Sequence, residues 1–267
     1  MDILTTNQQL KKSLSDPVTN RLIRYFRQLE QPVILREVRA AFSEDQQLDK
    51  RLDLLIQTGV VERKDRRYRL LLPIYQSFPD NVLYNQLKEL IGPNQLVSFV
   101  EQFYPNELTG PVAVTFDLAS RTILENDSFA LVTLNAGGIT ALTLPNYFHY
   151  QQRKRPASFA PLEKLLGDVH SGFFFNQVEL LLSALLNGKQ PKRKSIFLES
   201  LLMTKVAVAE PNWQLEVPVV NGIDQLKEVA DLWEQFGETE RYFAFHHLLL
   251  DLLGSESSYT YIIQKKA

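Results

Sequence analysis

The chain contains no cysteine. That absence removes disulfides, thiol nucleophiles, iron–sulfur clusters and cysteine zinc sites together. Long apolar runs are also missing, and none approaches the roughly 18 residues that a membrane helix needs. The first fourteen residues hold two lysines and scattered polar side chains, without the apolar stretch of a secretory signal or the pattern of a transit peptide. A cytoplasmic protein without a membrane partner is therefore expected. The common enzyme signatures are absent as well: no Gly-x-Ser-x-Gly elbow, no His-Glu-x-x-His, and no dinucleotide-binding glycine fingerprint after a strand. Gly188 and Lys189 precede Ser195 by too many residues for a phosphate loop, in which the serine adjoins the lysine. Of the four histidines, His149 and His170 are isolated, and His246 and His247 are neighbours that a helix would point about 100° apart. No enzyme, cofactor or metal site is expected on these grounds.

What is present suffices for folded cores: 267 residues, 45 % of them hydrophobic. Charge is unevenly spread. The whole chain is at −2, but residues 1–72 hold fourteen lysines and arginines against ten acids, a net of +4, which leaves −6 for the rest. A locally basic stretch permits binding to a polyanion, because neutralised phosphates release counterions.

That basic stretch has an ordered pattern. After a polar N-terminal tail, Ser15 and Asp16 before Pro17 mark a helix start, and Val18, Leu22, Ile23, Phe26 and Leu29 give it a helical period to about Glu30. Arg21, Arg24 and Arg27 lie on its other side. Pro32 to Ile34 is extended, and a second helix over 35–42 buries Leu35, Val38, Ala41 and Phe42. Asp45 is expected to cap a third helix whose inward face is Leu48, Leu52, Leu55 and Ile56, and which stops at Gly59. Val60 and Val61, the charged run Glu62 to Arg67, and the alternating Tyr68, Leu70 and Leu72 then read as a hairpin. Packing the third helix this way turns Gln46, Lys50, Leu54 and Gln57 outward, with Gln47 and Asp53 at the margins. Glutamine pairs with adenine and lysine with guanine, so Gln46, Gln47 and Lys50 are the candidates for base edges. Arg63, Lys64, Arg66 and Arg67 on the hairpin are candidates for the backbone or minor groove. Arg36, at the start of the second helix, is a candidate phosphate contact. Against these stands an acidic stripe, Asp45, Asp49 and Asp53, which costs affinity for phosphate unless Lys or Arg pairs with it.

Residues 16 to 72 resemble the winged helix-turn-helix superfamily, the succession Leu52, Leu55, Gly59, Val60, Tyr68 and Leu70 matching its passage from third helix to wing. The resemblance implies double-stranded DNA as partner, or, as in members that have turned this surface to other uses, a protein. The chain is also similar to an uncharacterised protein family of low-GC Gram-positive bacteria, through Leu144, Pro145, Asn146, Tyr147 and Phe148 and through Leu166, Gly167, Asp168 and Val169. That likeness implies no function.

Beyond the hairpin, helices are expected over 80–91 (burying Val82, Leu83, Leu87, Leu90 and Ile91) and 94–104. A meander of about four strands follows, over 112–118, 122–124, 129–133 and 139–143. Asn146 to Arg155 interleaves aromatics with Arg153, Lys154 and Arg155, which suits either a strand end and solvated loop or stacking on a nucleic-acid strand. Helices over 158–204 are interrupted by a basic linker at 189–194. A hairpin over 206–220, a helix over 223–236, a central apolar helix over 240–253 and a strand over 259–263 complete the chain. The expected architecture is α+β, with a winged-helix domain at 1–75 and a mixed domain of antiparallel hairpins and helices at 76–267. Homodimerisation, a protein partner or a ligand are the open roles of the latter. A pocket uniting polar groups around His149 or Asn146 would point to a ligand or a reaction there.

Overall fold

The computed structural model describes residues 1–138, 140–151, 155–191, 193–254 and 258–265. The protein is mixed α+β, 46 % helical and 17 % strand. Its first elements are β1 (Asp2–Leu4), α1 (Gln8–Leu14), α2 (Pro17–Gln28), β2 (Val33–Ile34), α3 (Leu35–Ala41), α4 (Leu48–Gln57), β3 (Val61–Lys64), β4 (Arg67–Leu70) and β5 (Ile74–Tyr75). Then come α5 (Val82–Leu90), α6 (Leu96–Phe103), β6 (Val112–Val114), β7 (Ser120–Glu125), β8 (Phe129–Asn135), α7 (Leu144–His149), α8 (Ala160–Leu166), α9 (Ser171–Leu186) and α10 (Ile196–Met203). The chain ends with β9 (Ala207–Val208), β10 (Gln214–Leu215), β11 (Val219–Val220), α11 (Lys227–Trp233), α12 (Glu238–Leu253) and β12 (Ser258–Gln264). Among the described residues no single helix is long and apolar enough to cross a membrane.

The chain divides into two compact units, one of residues 1–85, 105–117 and 232–245, the other of 86–104, 118–231 and 246–267. Each draws on separated stretches of sequence.

In the first unit, α2, α3 and α4 pack on a three-stranded sheet of order β2-β4-β3. Leu22, Ile23 and Phe26 of α2, Val38 of α3 and Leu48, Leu52 and Leu55 of α4 share one buried cluster with Val60, Val61 and Tyr68. The Asp16 carboxylate caps α2 by accepting from the Val18 N–H at 3.0 Å, and Gly59, at φ +74°, ends the α4 segment in the left-handed region where glycine carries no steric penalty. Two expectations fail here. The N-terminus is not a polar tail: Asp2, Ile3 and Leu4 pair antiparallel with Val114, Ala113 and Val112, and Leu10 of α1 is fully buried. Ala41 faces solvent rather than the core, because α3 ends there and Phe42 takes the buried place. The β1-β6-β5 sheet joins 112–114 to this unit. Residues 232–245 are tied in by Asn81 Nδ2 donating to the Glu240 carbonyl at 2.8 Å and Thr109 Oγ1 donating to Glu238 at 2.7 Å.

The second unit is built on a sheet of order β11-β12-β8-β7. Every residue of β8 is buried, as expected for a central strand covered on both faces. Leu124, Leu131 and Ile262 stand in register on one face, in a cluster with α7, α8 and α9. Among the described residues of the expected fourth meander strand, 140–143, no strand is formed. Thr143 instead serves as the cap of α7 (Leu144–His149), its side chain accepting from the Asn146 N–H with Pro145 in the first turn; Ile139 lies outside the described residues. The place beside β8 goes to β12, whose residues 258–264 pair antiparallel with 135–129. The expected hairpin at 206–220 is likewise split: β9 and β10 pair with each other, whereas β11 crosses to run parallel with β12. Val82 and Leu90 of α5 are exposed, and Leu83, Leu87 and Ile91 alone of that set are buried. The helix expected over 223–236 is confined to 227–233.

Candidate nucleic-acid interface

With Leu48, Leu52 and Leu55 committed to the core, α4 turns its opposite side to solvent, where Lys50, Asp53 and Gln57 are exposed and Leu54 half-exposed. Gln46 and Gln47 are exposed too, but they precede the helix, in the turn between α3 and α4. The reason is Asp45. Instead of capping α4 directly, its Oδ1 accepts from the Gln47 N–H at 3.0 Å, closing a turn that delays the helix to Leu48.

The other Asp45 oxygen belongs to a clamp that the sequence reading missed. Arg51, on α4, donates through Nε to Asp45 Oδ2 at 3.0 Å and through Nη1 to Asp16 Oδ2 and, at 3.3 Å, to Thr19 Oγ1. One guanidinium thus joins the N-cap of α2, the turn and α4. The Asp45 side chain is only 9 % exposed and that of Arg51 20 %, so this pair is screened less than a surface pair would be. The local cue was an arginine on the flank of a helix with an otherwise acidic edge; the partner at Asp16 is too distant in sequence for any spacing rule. A second acid of the stripe is also paired, since Arg39 of α3 donates to Asp49 at 2.7 Å. That bond holds the Arg39 guanidinium charged, shifting its pKa further up. Asp53 is exposed.

The hairpin turns at Asp65 and Arg66, both at positive φ (+51° and +61°), in a two-residue loop. Such a turn matches the right-handed twist of the flanking strands and is usually made by Asn and Gly. The register sets Glu62 opposite Arg69, Arg63 opposite Tyr68 and Lys64 opposite Arg67. The four hairpin candidates therefore do not share one face. Arg63 lies over the Tyr68 ring at 5.6 Å. Lys64, Arg67 and Arg69 line the other side with Glu62 and Pro32, around a groove of about 190 Å³. There Arg69 donates to Glu62 at 2.5 Å and Arg67 to the Pro32 carbonyl at 3.1 Å. Lys64 directly opposite Arg67 is a like-charge pair, which a hairpin built for stability alone avoids. Lys50, Lys64 and Arg66 make no ion pair among the described residues. Arg36 is exposed in the first turn of α3, yet the anion seat at that terminus is taken by Glu37, which accepts from the Ile34 N–H at 2.8 Å. Any phosphate contact of Arg36 rests on its own guanidinium.

In the second unit, the polar groups around Asn146 face one another. Asn146 Nδ2 donates to Asn135 Oδ1 at 2.7 Å and to the Ala141 carbonyl at 2.9 Å; its Oδ1 accepts from Thr122 at 2.6 Å and from Asn135 at 3.1 Å. These are buried, mutually satisfied groups that join α7 to β7 and β8. Asn146 and Tyr147 are thus not free to stack on a nucleic-acid strand. Arg155, over the Tyr147 ring at 4.5 Å and paired with Glu163 at 3.0 Å, is a packed residue rather than a solvated base; Arg153 and Lys154 lie outside the described residues. Tyr147 also donates to the Gly167 carbonyl at 3.0 Å, so the two stretches that carry the likeness to an uncharacterised family touch. On the other sheet face Tyr261 donates to Glu101 at 2.5 Å, Arg121 pairs with Glu101 at 3.2 Å, and its guanidinium lies 4.2 Å from the centre of the Tyr104 ring. His246 is buried, and burial lowers its pKa to about 4.

Residues 2–104, from β1 to the end of α6, match a family model described as a domain of unknown function (DUF1803). For this stretch, under half of the chain, the match supports an uncharacterised family. No curated protein and no solved structure matches the chain.

Proposed function

We propose that residues 16–72 form a winged helix-turn-helix that binds double-stranded DNA, and that the protein is a transcriptional regulator of the cytoplasm. Gln46, Gln47 and Lys50 meet base edges in the major groove, and Lys64 and Arg66, with Arg63 and Arg67 behind them, meet the backbone or minor groove. The observation that carries this reading is the disposition of charge. The two acids that would most oppose a phosphate beside α4 are already neutralised, Asp45 by Arg51 and Asp49 by Arg39, while Lys50, Lys64 and Arg66 are left unpaired. The reading calls for no catalytic group, metal or cofactor. The second unit then serves to pair two copies, to hold a partner or to sense a ligand.

The test is fluorescence anisotropy of the full chain on random-sequence duplex DNA at a series of salt concentrations, beside a Lys64→Ala/Arg66→Ala variant. Binding that weakens steeply with salt is expected, with the slope shallower by roughly 1 for each cation removed, because fewer counterions are released. A folded protein that does not bind duplex DNA at low salt would refute the reading. It would favour a protein-binding use of the same surface, a second reading supported by the internal bonds that already hold Arg67 and Arg69.

A further inference from the structure

Helix α2 carries two stripes. Leu22, Ile23 and Phe26 are buried in the core, and the second stripe, Arg21, Arg24, Tyr25 and Gln28, follows i, i+3, i+4, i+7 spacing on the outside. That outer stripe is one wall of a groove of about 550 Å³ whose other wall is residues 41–44. The Tyr25 and Phe42 rings meet edge to face at 5.4 Å and make an aromatic floor. The Arg21 guanidinium lies over Phe42 at 5.3 Å. Neither Arg21 nor Arg24 makes an ion pair among the described residues. Ala41, whose methyl group faces solvent instead of the core, leaves the space between the walls open.

From this we infer that the groove between α2 and the α3–α4 turn is a docking site for an acidic peptide segment of a partner protein. Two guanidiniums on neighbouring turns of one helix donate to carboxylates in the forked geometry that makes such pairs strong, and the floor takes an apolar side chain set between them. Burial and the nearby Glu37 raise the Tyr25 hydroxyl above its usual pKa, so it keeps its proton and donates. Apart from Tyr25 and Phe42 the lining is exposed. The groove therefore does not enclose a small ligand, which pockets of roughly 300–1,000 Å³ hold by burying most of its surface. Glu44 on the far wall argues against a nucleic-acid strand. A backbone with a phosphate at every step sets one against that carboxylate, whereas a peptide places an uncharged or basic residue there.

The site does not depend on DNA binding, and the experiment keeps the two apart. Random twelve-residue peptides displayed on phage are selected on the immobilised full chain, and the enriched sequences are made as labelled peptides and titrated by anisotropy. The expected result is enrichment of peptides with two or more Asp or Glu flanking an apolar residue. Their affinity should fall at least tenfold in Arg21→Glu/Arg24→Glu and also in Ala41→Trp, which fills the groove without changing charge, while titration of Ala41→Trp with duplex DNA is unchanged. Circular dichroism and melting temperature check that both variants fold; the arginines are exposed, so that pair is readable even if the tryptophan is not tolerated. No enrichment, enrichment of peptides without acids, or binding indifferent to both variants would overturn the inference. Displacement of the peptides by single-stranded DNA would overturn it in favour of a nucleic-acid groove.

Discussion

The most extensive polar network of each unit is of a different kind. In the first, the informative side chains are charged and near the surface: Arg51 with Asp16 and Asp45, Arg39 with Asp49, Arg69 with Glu62. In the second, the polar network at Asn146 is neutral, made of amides and hydroxyls, and closed to solvent. A neutral network can be buried at little cost once every donor and acceptor is met, and it then fixes which strands and helices meet. A charged one tolerates burial poorly but projects a field. The difference teaches where to look for partners. Around Asn146 the second unit closes its amides and hydroxyls on one another, whereas the first leaves Lys50, Lys64 and Arg66 without an ion pair among the described residues once Asp45 and Asp49 are paired.

The comparison breaks most sharply at Asn146. Asn146→Ala should destabilise the protein by about 3–5 kcal/mol, since it strands buried groups on Asn135 and Thr122 as well as removing bonds. Urea denaturation measures it. The double variant Asn135→Leu/Asn146→Leu should cost less than the sum of the single changes, because neither amide is then left alone. A strictly additive pair would show the network to be incidental.

Next in size is His246. Burial lowers its pKa from 6.5 to about 4, against a hydrogen bond to the backbone of Ala119 that acts the other way. The folded protein therefore binds fewer protons than the unfolded chain between those values. Its contribution to stability is fully present above pH 6.5, declines as the pH falls and is gone below about 4, a span of about 3 kcal/mol. Carboxylates add their own acid dependence, so the quantity to measure is the difference in urea midpoint between the native protein and His246→Leu at pH 7 and pH 4.5. That difference should shrink as the pH is lowered. A difference constant across the range would mean that the imidazole is hydrated.

Arg51→Ala tests the charged half of the comparison and should cost less, about 2 kcal/mol, because the clamp is partly exposed although Asp45 is nearly buried. Arg51→Lys should recover under half of that, a point charge being unable to bridge two carboxylates in a fork. If DNA binding is as proposed, Arg51→Ala should also weaken it beyond the loss of one charge, since Gln46 and Gln47 sit in the turn that the clamp holds.

How much of this could be read from residues alone follows the range of the interactions. The cap at Asp16, the α4 core stripe, the stop at Gly59 and the hairpin about Asp65 and Arg66 depend on neighbours within a few positions, and these the spacing marked. The sites of Lys50, Lys64 and Arg66 on exposed surface follow from the same local periods. Pairings across long stretches left no local trace: β1 with β6, β12 with β8, Arg51 with Asp16, Arg39 with Asp49. At Thr143–Asn146 the capping threonine and the proline were visible in the sequence, but alternation of apolar residues outweighed them, and alternation does not separate a strand from a short buried helix.

The smallest effect separates stability from function at a single residue. Arg66 holds φ +61°, a conformation that places the Cβ of an L-residue near the following carbonyl and costs roughly 1–2 kcal/mol relative to the right-handed region. Glycine removes that strain but gives back part of it as the greater freedom of the unfolded chain, so Arg66→Gly should stabilise the protein by only about 0.5 kcal/mol. If the turn exists only to close the hairpin, this gain comes without loss. If Arg66 is kept at the tip for its charge, as the proposed role requires, the same change should flatten the salt dependence of duplex binding by roughly 1 in slope. Thermal melting and anisotropy on one variant therefore measure both terms. A more stable protein that binds DNA less well would place the strain in the service of binding; a more stable protein with unaltered DNA binding would remove Arg66 from the interface.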